Sequence, residues 1–363
     1  MLKNKKDGLR LSPFFFLSLS LAALALLMHI LCAKLPALAD FITATLSPVF
    51  RVSLGFASAL FPFSIVEGLI ITSPAVIALL VFFARRAARE PKKTAHMLSA
   101  LLSVPLLLYS LFVFSFGAGY YTTPLGDRLA LEEKAPNAEN LTALTALLAA
   151  RAETCAEEAA ISVGPSGSHM PFSYAEMNTR LIRAYDAVEE KHGILKNFSV
   201  GTKPIALSHP MAHTHITGVY TFMTGEMNVC TAFPDFSTVF TAAHEMAHAR
   251  GIAREDEANF VAFLALELSD DPYLRYAGYM NLLQYVSNAL YETDPQAYRA
   301  VWQTYSDTVV SELRAYNAAF KQYSGSFASD IAGSINNAYL EGMGTEGSVS
   351  YDLVVHLAVR YLN

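Results

Sequence analysis

Five consecutive residues, His244-Glu245-Met246-Ala247-His248, carry the clearest chemical signal in the chain. Histidines four positions apart share one helix face, so both imidazoles can reach a single ion. Zinc accepts nitrogen and oxygen ligands, and a catalytic zinc site keeps one position open for water. Water bound there ionises near neutral pH. Glu245 projects beside such a site and can take the proton that the water gives up. The competing reading is a pair of core histidines with a surface glutamate. Against it, the flanking residues Val239, Phe240, Ala242, Ala243, Met246 and Ala247 are apolar, and hydrophilic groups buried among them need partners.

A third ligand is expected close by, after the turn that Gly251 permits. Glu255, in the first turn of a helix starting near Arg254, is the choice. Asn259, four residues on, shares its face and can orient the imidazole of His244 from behind. Glu257 is the rival ligand, although it points about 160° away from the Glu255 face on a helical wheel. Asp256 is a weaker rival. Any of the three carboxylates that does not bind metal can serve the helix dipole at this N-terminus.

The elements that must position these groups are helical, with one exception. Helices are expected over 139–160, 173–195, 237–250, 254–268, 272–292, 295–323, 327–341 and 349–362 from their apolar spacing. Asp235 or Ser237 can cap the helix that carries the histidines, and Gly251 can end it. The exception precedes that helix. Pro204 to Ser208, His215 to Phe222 and Met227 to Thr231 read as short strands, with a turn at Thr224-Gly225. The expected class is α+β, a mostly helical domain with a small sheet, and about 245 residues suffice for one core.

Ahead of that domain the composition changes. The chain has 363 residues, of which 53% are hydrophobic and only 16% charged, against about 25% charged in soluble domains. Residues 1–118 hold 11 Lys/Arg and 4 Asp/Glu, whereas residues 119–363 hold 15 and 28. An acidic C-terminal half argues against nucleic acid as a partner. Three membrane spans are expected, at about 13–33, 64–84 and 97–119, each near the roughly 20 residues that cross a bilayer. The apolar stretch Phe41 to Pro62, interrupted by Pro48 and Arg51, reads as an interfacial or re-entrant piece. Lys3, Lys5, Lys6 and Arg10 precede the first span, and Arg85, Arg86, Arg89, Lys92 and Lys93 lie between the second and third. The positive-inside rule then puts the N-terminus in the cytoplasm and residues 119–363 outside the cell membrane. Cleavage of the first span as a signal peptide near Ala37-Leu38-Ala39 is the alternative, and it leaves the domain on the same side.

The order HExxH, glycine turn, then Glu-x-x-Ala-Asn resembles the glutamate-type zincins, the gluzincin metallopeptidases. That resemblance implies a zincin-like domain with Zn2+ held by His244, His248 and Glu255, Glu245 as general base and Asn259 in support. It also implies an edge strand, here His215 to Phe222, against which a peptide substrate lies, and an oxyanion donor, for which Tyr276 and Tyr279 are candidates. The segment Tyr220 to Phe263 with its N-terminal spans is similar to an uncharacterised bacterial family of membrane-anchored proteins. Tyr276-Ala277-Gly278-Tyr279, Asn336-Asn337-Ala338-Tyr339-Leu340 and Ser350-Tyr351 extend the likeness over most of the chain. One departure stands out: Glu255 follows His248 by seven residues, fewer than the usual gluzincin gap. The metzincin alternative fails at its third ligand position, which is Arg254 here.

Three functions fit these residues. They are a membrane-anchored zinc metallopeptidase, a zinc hydrolase of another envelope amide or ester, and a metal-binding sensor or assembly protein without catalysis. An intact Glu245 favours the first two, because a structural metal has no use for it. An intramembrane protease is disfavoured by the more than 120 residues between the last span and the motif. His209, His213 and His215 form a second histidine cluster, either a further metal site or ordinary solvated residues. Cys32 reads as packing, while Cys155 and Cys230 can pair only in an oxidising compartment.

Overall fold

The computed structural model describes residues 11–362 except 197, 348, 350 and 351. Lys3, Lys5, Lys6, Arg10, Ser350 and Tyr351 therefore lie outside the described residues. The N-terminal third comprises α1 (Pro13–Lys34), α2 (Pro36–Thr45), α3 (Ser47–Ala59), α4 (Ile65–Ala87) and α5 (Pro91–Ser115), closed by a 3-10 turn at Gly117–Tyr121. Four stretches here, rather than three, are long and apolar enough to cross a membrane, because α2 and α3 together form a fourth. Large apolar side chains such as Leu27, Ile70, Phe82 and Leu102 are exposed along these helices, as expected where lipid is the solvent.

Contacts at the helix ends give this group its order. The Ser12 amide donates to Ser99 Oγ at one end of α1, and His29 meets the Tyr109 hydroxyl near the other, so α1 and α5 run parallel. The α2–α3 pair is anchored at both ends to the rest of the protein. Asp40 accepts from the backbone amide and the hydroxyl of Thr123, and Lys203 donates to the Ser58 carbonyl. Between them Arg51, buried, donates to the carbonyls of Thr43, Ser115 and Arg250. These oxygens lie at the carboxyl-terminal ends of three helices, where a cation offsets the unpaired carbonyls. Glu226 does the reverse at the start of α4. It accepts from the Ile65 and Val66 amides while pairing with Lys203 at 2.7 Å.

The remaining elements are α6 (Leu125–Arg128), α7 (Ala138–Glu158), β1 (Val163–Gly164), β2 (Gly167–Ser168), α8 (Tyr174–His192), β3 (Lys203–Pro204), α9 (Ser208–Ala212), β4 (Gly218–Thr221), β5 (Glu226–Val229), α10 (Asp235–Ala249), α11 (Glu255–Glu267), α12 (Pro272–Thr293), α13 (Pro295–Trp302), α14 (Asp307–Gln322), α15 (Phe327–Gly342) and α16 (Val354–Leu362). The fold is mostly helical with small sheets. β1 and β2 form one antiparallel pair, and the other sheet has the order β3-β5-β4. There β3 runs parallel to β5, and β4 runs antiparallel to it with Val219 opposite Asn228.

Several expectations shift by a few residues for local reasons. The strand expected over His215 to Phe222 begins only at Gly218, because His215 has φ of 58°, which a strand cannot accommodate. Pro204 to Ser208 is strand only at its start and then enters α9. The helix expected over 295–323 is two helices, and the Ser306 hydroxyl caps the second by accepting from the Val309 amide. Asp235 is the first residue of α10 instead of its cap, and its carboxylate accepts from the Met170 amide. Cys32, Cys155 and Cys230 are all free and buried.

One core runs from Leu125 to Val359 and gathers α7, α8, α10, α11, α12 and α16. α10 and α11 form its centre. Phe236 to Ala249 and Glu255 to Leu266 are buried on every face. Burying a helix all round is normal for apolar sequence. Here it also buries His244, Glu245, His248, Glu255, Asp256, Glu257 and Asn259, each of which must find a partner.

Candidate metal centre

Gly251, with φ of 100°, turns the chain sharply between α10 and α11. A side chain there is doubly excluded, since a Cβ would meet the Arg51 guanidinium at 2.7 Å. The turn brings the first residue of α11 against the last two turns of α10. His244 Nε2 lies 3.1 Å from Glu255 Oε2, and His248 Nε2 lies 3.4 Å from the same oxygen. All three ligand atoms fall within 4.8 Å of one another. Bonds of 2.0–2.1 Å in tetrahedral array separate ligand atoms by roughly 3.3–3.4 Å, so the triad is spaced for an ion the size of zinc.

The far side of each imidazole is occupied. His248 Nδ1 is 2.7 Å from the Ile252 carbonyl, and His244 Nδ1 is 2.8 Å from Asn259 Oδ1. Both partners are acceptors, which fixes a proton on each Nδ1 and turns each Nε2 toward Glu255. Asn259 is held in turn by the Tyr285 hydroxyl, to which its amide donates. Glu255 Oε2, although close to both rings, is buried without a hydrogen bond of acceptable geometry. Two imidazole nitrogens and a carboxylate oxygen that converge in this way fit a cation between them. His244, His248 and Glu255 are therefore a possible metal-binding triad, and among the described residues no other group of this kind occurs.

Electrostatics agree with the geometry. Burial pushes the His248 imidazolium down, but the Glu255 carboxylate outweighs it and raises the group to about 9. Glu255 moves the opposite way, held far below the usual carboxylate range by the two imidazoles against the cost of burial. Together they describe a site that holds positive charge, as a proton or as a metal that displaces it. Glu245 is pushed up, chiefly by burial, with Glu255 adding to the shift and both imidazoles opposing it. Its Oε2 is buried and has no hydrogen-bond partner. A carboxylate in that condition is primed to accept a proton.

A cleft of about 650 Å³ opens over these residues. β4 forms one wall. It pairs with β5 on one side only, and its Tyr220 backbone amide donates to the Glu245 carboxylate. Gly218 is what lets β4 approach, because a Cβ at that position would sit 2.4 Å from Glu245 Oε1 and 2.6 Å from Thr241 Cγ2. The opposite wall includes Tyr285, Tyr316 and residues of α15. The floor is Phe116 and Tyr120, which follow directly on α5, and the Phe116 ring packs edge-on against His248 with centroids 5.8 Å apart. The distance in sequence between spans and motif thus says little about distance in space, and the site adjoins the end of the membrane-type helices.

Other candidates stand elsewhere. Glu257 accepts from the Leu125 amide at 2.8 Å and lies beside Arg254, facing away from the triad. Burial, then the Asp256 charge, pushes it up to about 7. Asp256 also neighbours Arg254. Tyr276 donates to Glu312 at 2.9 Å, and Tyr279 packs edge-on against Phe263 under the Arg151 guanidinium. Neither tyrosine lines the cleft. The second histidine cluster does not converge. His209 bonds the Tyr323 hydroxyl, His213 stacks edge-on against the same ring, and only His215 enters the cleft. There its Nε2 is buried with no hydrogen-bond partner, presented by the left-handed backbone noted above. The sequence placed His215 at the site only as part of an edge strand and not for its imidazole, and nothing in it pointed to Phe116, Tyr285 or Tyr316. Only the Asn336 to Leu340 motif hinted at α15, whose Asn336 and Tyr339 reach the cleft.

A family model described as "Protein of unknown function (DUF3810)" matches residues 43–359, which span the helices from the end of α2 onward and the whole candidate site. No curated protein and no solved structure matches the chain.

Proposed function

We propose, for a chain that belongs to this family of unknown function, that it is a membrane-anchored zinc-dependent metallopeptidase. His244, His248 and Glu255 would hold the ion, with Asn259 and the Ile252 carbonyl fixing the two imidazoles from behind. When bound, zinc supplies Lewis acidity that polarises the scissile carbonyl and lowers the pKa of the attacking water. Glu245 takes that water's proton and afterwards delivers it to the leaving amine nitrogen, a double use that its raised proton affinity suits. The edge of β4 away from β5 has no strand partner, and its remaining backbone groups are available to an extended peptide that adds as a further strand. His215 Nε2 and the hydroxyls of Tyr285 and Tyr316 are the donors available to the oxyanion that develops on the carbonyl.

The observation that carries this reading is the pairing of two imidazoles fixed at Nδ1 with a buried Glu245 carboxylate whose Oε2 has no hydrogen-bond partner, beside the edge of a strand that no other strand covers. A structural metal needs the first feature and not the second. The side of action follows from charge. α4 begins against Glu226 and ends at Arg85 and Arg86, and these with Arg89, Lys92 and Lys93 support a cytoplasmic α4–α5 junction. α1 and α5 then cross outward together, and the site lies outside. α2 and α3, tied at both ends to the same side of the protein, lie along the boundary without crossing. To test the function, full-length protein in detergent is loaded with zinc and given a pool of quenched fluorescent peptides. Cleavage that chelation stops and Glu245→Gln abolishes is the expected result. Cleavage that survives Glu245→Gln, or none with a fully loaded site across a broad pool, contradicts the peptidase reading.

A further inference from the structure

α15 has two faces of opposite character. Ser329, Ala332, Gly333 and Asn336 line the cleft over the metal triad. On the other side Phe327, Ile331 and Ile335 follow one another at four-residue spacing, with exposures of 80%, 44% and 65%. Small residues thus face the site, and large apolar ones face outward. Scattered exposed apolar residues are unremarkable, but a continuous helical stripe of them marks an interaction surface.

What covers the stripe is indicated by where the helix is seated. Tyr339, further along α15, packs edge-on against Phe112 of α5 at 6.2 Å and shares a hydrogen bond with the Tyr120 hydroxyl. Leu340 is fully buried in a cluster with Ala25 of α1 and with Phe112, Val113 and Phe116 at the end of α5. Phe222, in the turn between β4 and β5, packs on the same Phe112 ring at 5.3 Å. Phe112 lies one turn inside the end of α5, a helix long and apolar enough to span a bilayer. One end of α15 is therefore fixed at the depth where that helix leaves the hydrocarbon. The helix carries no Lys or Arg, and its two acidic residues, Asp330 and Glu341, lie off the stripe.

We infer that α15 is an interfacial helix whose Phe327, Ile331 and Ile335 side chains enter the outer leaflet of the membrane while its inner face roofs the metal cleft. The partner of this surface is phospholipid. An amphipathic helix at a bilayer surface buries its apolar face about 5–10 Å into the headgroup–acyl boundary. Resting on the peptidase proposal, this placement makes the cleft open at the lipid–water boundary. It therefore favours polypeptide substrates cut close to where they emerge from the bilayer.

The lipid contact can be tested without zinc or substrate, so its failure is separable from failure of the peptidase reading. Full-length protein carrying Phe327→Cys, Ile331→Cys or Ile335→Cys is spin-labelled and reconstituted in phosphatidylcholine vesicles. Leu102→Cys serves as the lipid reference and Glu139→Cys as the aqueous one, and unlabelled wild type, whose native thiols are buried, gives the background. All three stripe labels are expected to show oxygen accessibility above that of a water-soluble nickel complex, as at Leu102. Three sites tested separately guard against one substitution that fails to fold. Accessibilities like those at Glu139 would overturn the inference. So would strong label–label dipolar coupling with low access to both reagents, because a second copy of the chain would then cover the stripe.

Discussion

Gly218→Ala tests whether the wall of the cleft is positioned as described. The added methyl would lie 2.4 Å from Glu245 Oε1, 2.6 Å from Thr241 Cγ2 and 2.9 Å from Glu245 Cγ. Carbon–oxygen contacts of less than about 3 Å cannot persist, so something must move by the better part of 1 Å. Thr241 is β-branched within α10 and stiff at χ1. β4 is held by its ladder to β5, which leaves the Glu245 carboxylate as the group that gives way. Displacing a reacting group by about 1 Å costs roughly 100-fold in rate, and overpacking costs about 1–3 kcal/mol of stability. The three atoms nearest the added methyl belong to Glu245 and Thr241, and none belongs to a proposed ligand. We therefore expect zinc stoichiometry to be retained, the thermal midpoint to fall by several degrees, and peptide hydrolysis to drop about 100-fold. Zinc content by elemental mass spectrometry, thermal unfolding in detergent and initial rates on quenched peptides give the three readings. Unchanged hydrolysis with unchanged stability would refute the placement of Glu245 against β4.

Other substitutions probe separate parts of the account. Asn259→Ala removes the acceptor behind His244 and is expected to weaken zinc affinity about 10- to 100-fold, measured by competition with a chromophoric chelator. Glu226→Ala leaves Lys203 buried without its carboxylate and uncaps α4. Breaking a buried pair costs about 3–5 kcal/mol, so the thermal midpoint should fall by on the order of 10 °C. His215→Ala should reduce kcat about 10- to 1000-fold if its Nε2 serves the oxyanion, with zinc content unchanged. Loss of zinc instead would mean that His215 supports the ligands.

The sequence was legible where the information is local. HExxH on an apolar helix, a glycine turn and Glu255 sharing a face with Asn259 are all matters of helical phase over some sixteen residues, and the structure brings those side chains together. Tyr276 and Tyr279 are candidates through the resemblance alone, and nothing in their spacing shows that Glu312, from a helix 36 residues on, holds the first of them. Phe116 and α15 reach the cleft from far before and far after the motif in sequence, through contacts such as Tyr339 on Phe112 that no periodicity encodes. The α2–α3 stretch illustrates the opposite problem. Its mean hydropathy suits a span, while the bonds of Asp40 to Thr123 and of the Ser58 carbonyl to Lys203 come from distant sequence that no local pattern shows. Strand length was overestimated at His215 because a positive φ in a β-rich segment leaves no mark on composition.

The central claim is that His244, His248 and Glu255 hold one zinc ion. Metal content of the purified full-length protein by elemental mass spectrometry tests it most directly, alongside His244→Ala, Glu255→Gln and Glu257→Gln. The account predicts close to one zinc per chain, lost with His244→Ala, sharply reduced with Glu255→Gln and kept with Glu257→Gln, whose native carboxyl serves the Leu125 amide instead. A folded wild-type protein that binds no zinc, or one that loses it with Glu257→Gln and not with Glu255→Gln, would contradict it.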